Sequence, residues 1–198
     1  MYSIFLKKNW NLVKIINNNR GSLLFVDRAR YYPAFAFSFL AAAISKKYKL
    51  NSIILTDLKS NSPIIRIYKS LGFTKYIKSY NILLFYKISI LIKSFFYSII
   101  AIHKIKRRNF YWFISNFKIN QIPIGDLIYD LYIRKKNNFS RNSPDFYFFK
   151  ILFKSIFRFY LIEQQIKKNN IKFIFSATEN YAGNDGLSLR IAIFRNIK

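Results

Sequence analysis

Cysteine is absent from the 198-residue chain, which excludes disulfides, thiolate nucleophiles and thiolate-bound zinc. Histidine occurs once, as His103. Without a second imidazole a histidine-based metal site is excluded, and a His-dependent triad would have to rest on this one residue, in a basic stretch with nothing near it to complete one. Neither a Walker loop nor a GxGxxG fingerprint occurs, so a P-loop nucleotide site or a typical dinucleotide site is not supported. No secretory signal is evident: Tyr2 to Leu6 is too short for a signal core, and Lys7, Lys8 and Trp10 interrupt it.

Acids are scarce too, with 8 Asp and Glu against 34 Lys and Arg and a formal charge of +26. Such a charge fits a nucleic acid or an anionic membrane surface as partner. It fits equally a coding sequence rich in A and T, because Lys, Ile, Asn, Phe and Tyr are in excess together and the lysines are scattered through every segment. The composition, 52% hydrophobic and 20% aromatic, argues against disorder and for one substantial folded domain.

The order of elements alternates. SLLFVD at Ser22 to Asp27 reads as a buried parallel strand, Arg28 to Pro33 as a loop, and Ala34 to Tyr48 as an alanine-rich helix closing on lysines. A second strand follows at Ser52 to Thr56, a helix at Ile64 to Leu71 with Pro63 before it and Gly72 to stop it, and a third strand at Lys75 to Ser79. A second alternating block is expected beyond. It comprises a long helix from about Leu83 to Lys104, a basic aromatic stretch from Lys106 to Phe117, a helix at Phe146 to Lys168, a strand at Ile171 to Ser176, a polar loop at Ala177 to Gly186 and a helix at Leu187 to Arg195.

The expected fold is therefore α/β and Rossmann-like, a mostly parallel sheet flanked by helices, with residues 1–20 an N-terminal extension and 21–198 a single domain. Ligands of such sheets bind at the carboxyl ends of the strands. The order of elements places Asp27 to Tyr31, Thr56 and Asp57, Gly125 and Asp126, and Ser176 to Gly186 there.

Pro123 to Arg134, PIGDLIYDLYIR, carries the most information. On a helix starting at Gly125, residues Asp126, Tyr129, Asp130 and Arg134 share one side, and Leu127, Ile128, Leu131 and Ile133 suit burial against a sheet. Asp126 either caps that helix, with Asp130 and Arg134 as an ordinary i,i+4 pair, or the group faces a phosphate or a sugar. Ile82 to Ile102 is long enough to cross a bilayer, but Lys87 and Lys93 interrupt it. It reads as a long amphipathic or buried helix.

The run IPIGDLIYDLYIR, with the later FIFSATENYAGNDGLSLRIAIFRNI, resembles the N-terminal half of bacterial surface and capsule polysaccharide biosynthesis proteins. Gly125, Asp126, Tyr129, Asp130 and Arg134 match the first motif of that family, and Tyr181, Gly186 and Arg190 match the second. The family's second motif often carries a histidine before the tyrosine, and Ser176 to Glu179 contain none. The resemblance implies a glycosyltransferase-like protein of the GT-B type, with two Rossmann-like domains facing a cleft. It implies an acceptor-side domain here, with the nucleotide-sugar donor belonging to a C-terminal domain that would begin near Lys198, so that the chain would be truncated or split and inactive without that half or a partner chain. On this reading Asp126 or Asp130 is the catalytic base toward an acceptor hydroxyl. Gly125, Tyr129, Arg134, Tyr181, Gly186 and Arg190 then bind a sugar or lipid-linked acceptor, with no metal and no cofactor held by this chain. The protein would be cytoplasmic, with its basic helices Ile82 to Lys106 and Phe146 to Lys168 suited to the inner leaflet. The alternative is a basic nucleic-acid-binding module, in which Lys104, Lys106, Arg107 and Arg108 meet phosphates and Phe110, Tyr111 and Trp112 meet bases.

Overall fold

Four short apolar runs form the sheet that organises the first part of the chain. β1 (Ser22–Val26), β2 (Asn51–Leu55), β3 (Lys75–Ile77) and β6 (Ile171–Ser176) lie in the order β3-β2-β1-β6, and every pairing is parallel. The computed structural model describes residues 21–27, 31–73, 75–78, 80–136, 143–176 and 182–198. All five residues of β1 are buried, the condition of a central parallel strand covered on both faces. The α/β class and the parallel sheet flanked by helices are as expected.

Contacts divide the described residues into two compact units, the first comprising residues 21–27, 31–73, 75–78, 165–176 and 196–198 and the second residues 80–136, 143–164 and 182–195. In the first, α1 (Tyr31–Tyr48) packs on β1 and β2, and α2 (Pro63–Ser70) packs on α1. Helix α1 begins at Tyr31, inside the expected loop, because a proline within the first turn gives up only an N–H that has no helical partner there. Helix α2 ends as its sequence demands. Gly72 adopts φ +87°, its N–H reaches the Lys69 carbonyl at 3.0 Å, and the Phe73 N–H reaches the Tyr68 carbonyl at 3.1 Å. This is a Schellman closure, completed by the ring contact of Tyr68 with Phe73. At the far end Lys198 lies along β6, donating to the Lys172 carbonyl at 3.2 Å and accepting from the Ile174 N–H at 2.7 Å.

Strand order turns at β1, since β2 and β3 lie to one side of it and β6 to the other. Of the expected ligand loops at that point, Asp27 to Tyr31 and Ser176 to Gly186, residues 28–30 and 177–181 lie outside the described residues, and the second has turned helical by Asn184. Asp27, at the end of β1, is engaged within the unit: its carboxylate accepts from the Thr56 hydroxyl at 2.6 Å and from the Tyr68 phenol.

The second unit departs from the expected alternation. It holds the helices α3 (Leu84–Arg108), α4 (Phe110–Asn116), α5 (Gly125–Lys136) and α7 (Asn184–Phe194), and α6 (Phe146–Lys168) as far as Gln164. Its strands, among the described residues, are the antiparallel pair β4 (Lys118–Ile119) and β5 (Ile122–Pro123). Gly125 and Asp126 thus follow a hairpin and not a strand of the parallel sheet, and Leu127 and Ile128 are buried in a helical core. Rings dominate that core. Phe148 meets Phe110, Tyr132 and Phe113 edge-on at 4.9, 5.1 and 5.5 Å between centroids, a geometry that adds to simple area burial.

Burial first, and the negative charge of Asp27 second, hold the Tyr68 phenol well above the ordinary tyrosine range. The folded protein keeps a proton that the unfolded chain releases near about pH 10. The contribution of Tyr68 is therefore intact below that pH and declines as pH rises beyond it. Tyr68→Phe should cost about 1.5–3 kcal/mol at neutral pH, as expected for a hydrogen bond to a charged acceptor. It should also flatten the fall of stability above pH ~10. Urea unfolding of both proteins across that range checks this, and equal slopes would show that Tyr68 does not hold the proton.

Candidate functional site

Three local features build a cleft in the second unit. The first is the hairpin. Asn120 and Gln121 form its two-residue turn, both with positive φ (49° and 70°), which is the primed turn that matches strand twist. Asn120 also donates from Nδ2 to Glu163 at 2.9 Å, and Arg195 pairs with the other oxygen of the same buried carboxylate. One acid on α6 therefore anchors both the hairpin turn and the end of α7.

The second feature is Gly125. A Cβ there would collide with the Phe113 carbonyl oxygen and stand 3.0 Å from its carbon and 3.1 Å from the Ile114 oxygen. Only glycine lets the start of α5 sit against the end of α4. Gly125 is buried, and its observed role is this close approach.

The third feature is Arg190. From α7 it donates through NH2 to Asp126 Oδ2 at 2.6 Å, through NH1 to Asp126 Oδ1 at 3.3 Å, and through NH1 to the Pro123 carbonyl at 3.1 Å. The capping alternative for Asp126 gives way to a two-pronged interhelical pair, a geometry that fixes orientation as well as charge. The negative group also sits in the first turn of α5, where the helix dipole favours it. The Ala182 N–H adds a further tie to α5 by donating to the Leu127 carbonyl at 3.2 Å.

Between α5 and α7 lies an open cleft of about 670 Å³. Asp126, Asp130, Arg134, Gly186 and Arg190 line it, five of the residues singled out by sequence and drawn from two distant segments. Asp130 and Arg134 pair along α5 at 3.2 Å with both side chains about half exposed, so they are accessible from solvent. The charges balance, two carboxylates against two guanidinium groups. Apolar surface comes from Pro123, Leu189, Ile193 and Phe194, the last two strongly exposed. Leu189, Ile193 and Phe194 are not among the expected site residues, although Gly186, Leu189, Arg190, Ile193 and Phe194 recur at spacings of three and four, the signature of a single helix face.

Other expected residues fall elsewhere. Tyr129 is not part of the cleft lining and instead packs on Phe110, 5.1 Å between centroids. Tyr181 lies outside the described residues. In the basic aromatic stretch Lys104 and Arg108 lie over the Trp112 ring at 5.6 and 5.5 Å, so that ring is engaged by its own chain. Among the described residues, no three His, Asp or Glu side chains gather where they could hold a metal ion.

No family model, no curated protein and no solved structure matches the chain. The geometry therefore stands on its own.

Two substitutions test how the cleft is framed. Gln121→Gly should stabilise the protein by about 0.5–1 kcal/mol, since a left-handed non-glycine residue costs roughly 1–2 kcal/mol and glycine returns part of that as chain entropy. Gly125→Ala should destabilise by about 1–3 kcal/mol through overpacking against backbone that cannot yield. Denaturant midpoints read both. A destabilised Gln121→Gly would contradict the hairpin turn, and a Gly125→Ala variant as stable as the parent would contradict the α4–α5 approach.

Proposed function

We propose that the α5–α7 cleft is the acceptor-binding site of a glycosyltransferase-like protein acting in surface or capsular polysaccharide synthesis. The observation that carries this reading is the convergence of Asp126, Asp130, Arg134, Gly186 and Arg190 on one open cleft beside exposed Ile193 and Phe194. A sugar ring has hydroxyl edges that want paired donors and acceptors, and C–H faces that want apolar contact. Two carboxylate–guanidinium pairs and an exposed ring supply both. The balanced charge favours a neutral sugar over a sugar acid. The likeness of the two motif segments to polysaccharide biosynthesis proteins supports the same class.

The roles divide by geometry. Both oxygens of Asp126 are engaged by Arg190, so Asp126 positions α7 and shapes the wall. Asp130 is about as exposed as Asp126, but both its oxygens share a single Nε of Arg134 at 3.2 Å, a looser hold than the 2.6 Å contact of Arg190 with Asp126. It is the carboxylate that reaches a hydroxyl of a bound sugar and the better placed of the two as a base. Arg134 steadies that carboxylate and offers donors to neighbouring hydroxyls. Phe194 takes the C–H face.

Saturation-transfer NMR on the full chain with methyl glucoside, N-acetylglucosamine, lactose and glucuronic acid checks the reading. Transfer to ring protons of at least one neutral sugar is expected, weaker for the acid. Asp130→Asn and Phe194→Ala should each weaken it about tenfold, roughly the loss of one buried contact or charged hydrogen bond, with the melting temperature kept. Signals unchanged in both variants, or absent for every neutral sugar, would sink it.

A further inference from the structure

Helix α3 is apolar on its outer side. Its buried positions are Ser94, Ser98, Ala101 and Ile105, which recur at spacings of three and four. Rings on its flanks reach α6, where Phe95 meets Phe149 and Tyr97 meets Tyr160 at 6.1 and 6.3 Å between centroids. The opposite side carries Phe85 (87% exposed), Ile88, Ile92, Phe96 (58% exposed), Ile99 and Ile100. Water-facing helices are normally built the other way round. Phe146 of α6, also strongly exposed, stacks on Phe149 and extends the same surface.

Charge on α3 itself has one sign. Helix α3 contains no acid, and its last turns expose His103, Lys104, Lys106, Arg107 and Arg108. Elsewhere in this unit Asp126, Asp130, Asp145 and Glu163 are each paired with a cation of their own, Arg190, Arg134, Lys136 and Arg195. A second copy of a chain at +26 would bring further cations to the face. An anionic bilayer brings both an apolar interior and the opposite charge. The helix has the length and composition of a membrane span, but one side of it is committed to protein packing, and Lys93 lies over the Tyr160 ring at 4.7 Å on its flank. That arrangement suits a helix lying in the surface.

We propose that α3, joined by Phe146, lies in the boundary between headgroups and acyl chains of an anionic bilayer. Phe85, Ile92 and Phe96 point into the acyl chains, and the basic last turns rest on lipid phosphates. These residues are separate from the cleft lining, so the proposal stands whether or not the cleft binds sugar.

Vesicle flotation of the full chain tests it, with phosphatidylcholine alone or mixed with phosphatidylglycerol. The parent should float with the mixed vesicles and at least about a hundredfold less with the neutral ones, three or more charges each worth about fivefold. Ile92→Ser with Phe96→Ser should lower binding at least about tenfold, given the apolar area withdrawn from lipid. Each of Lys106→Gln, Arg107→Gln and Arg108→Gln should lower it about fivefold, the effect of one charge at an anionic surface. All are exposed positions, and circular dichroism confirms the fold of each variant. Equal flotation with both vesicle types, or serine variants that float like the parent, would overturn the proposal. So would a parent that sediments as a dimer without binding lipid, with the serine pair monomeric, since that assigns the face to a second copy.

Discussion

A missing side chain at residue 125 decides where α5 can begin. The backbone there lies so close to the Phe113 and Ile114 carbonyls that no Cβ fits, and this approach places Asp126 at the exposed start of the helix. Arg190 then grips Asp126 and the Pro123 carbonyl together, so the hairpin end, the first turn of α5 and the middle of α7 are held as one frame. Asp130 and Arg134 follow one turn and two turns along α5, and Ile193 and Phe194 one turn along α7. The cleft is the space these two helices leave once that frame is set.

Much of the first unit was legible in the sequence because its signals are local. Runs such as SLLFV and NSIIL, each followed by a helix, permit few solutions other than a parallel sheet, and Gly72 ends α2 by the mechanism its position implied. The bounds of α6 and β6 were read as observed, since each is a long or strongly apolar run closed by polar residues. The hairpin was not legible. Its strands are two residues each, too short for a period, and its turn is Asn-Gln, which lacks the glycine that marks such turns. The expectation that Gly125 and Asp126 stand at the carboxyl end of a parallel-sheet strand fails for that reason.

Five of the residues the sequence singles out line one cleft, but their contacts lie beyond its reach. Gly125 was read as ligand-facing and is a packing residue. Asp126 was read as cap or base and is clamped by an arginine 64 positions away, a partnership that no local rule predicts. Ile193 and Phe194 share a helix face with Gly186 and Arg190 in the sequence, but that face becomes a cleft wall only once α5 is seen beside it. The acids show the same economy. In a chain with so few of them, Asp27, Asp126, Asp130, Asp145 and Glu163 each hold two parts of the fold together or support a neighbour, while the surplus cations are spread over the surface.

The frame is the central claim, and a double-mutant cycle tests it most directly. Asp126→Asn, Arg190→Gln and the double variant are compared by denaturant unfolding and by amide exchange along α5 and α7. For a half-exposed but two-pronged pair, a coupling of about 1 kcal/mol is predicted, with exchange of α7 rising equally in all three variants. Additive effects, with α7 as protected in the variants as in the parent, would contradict it.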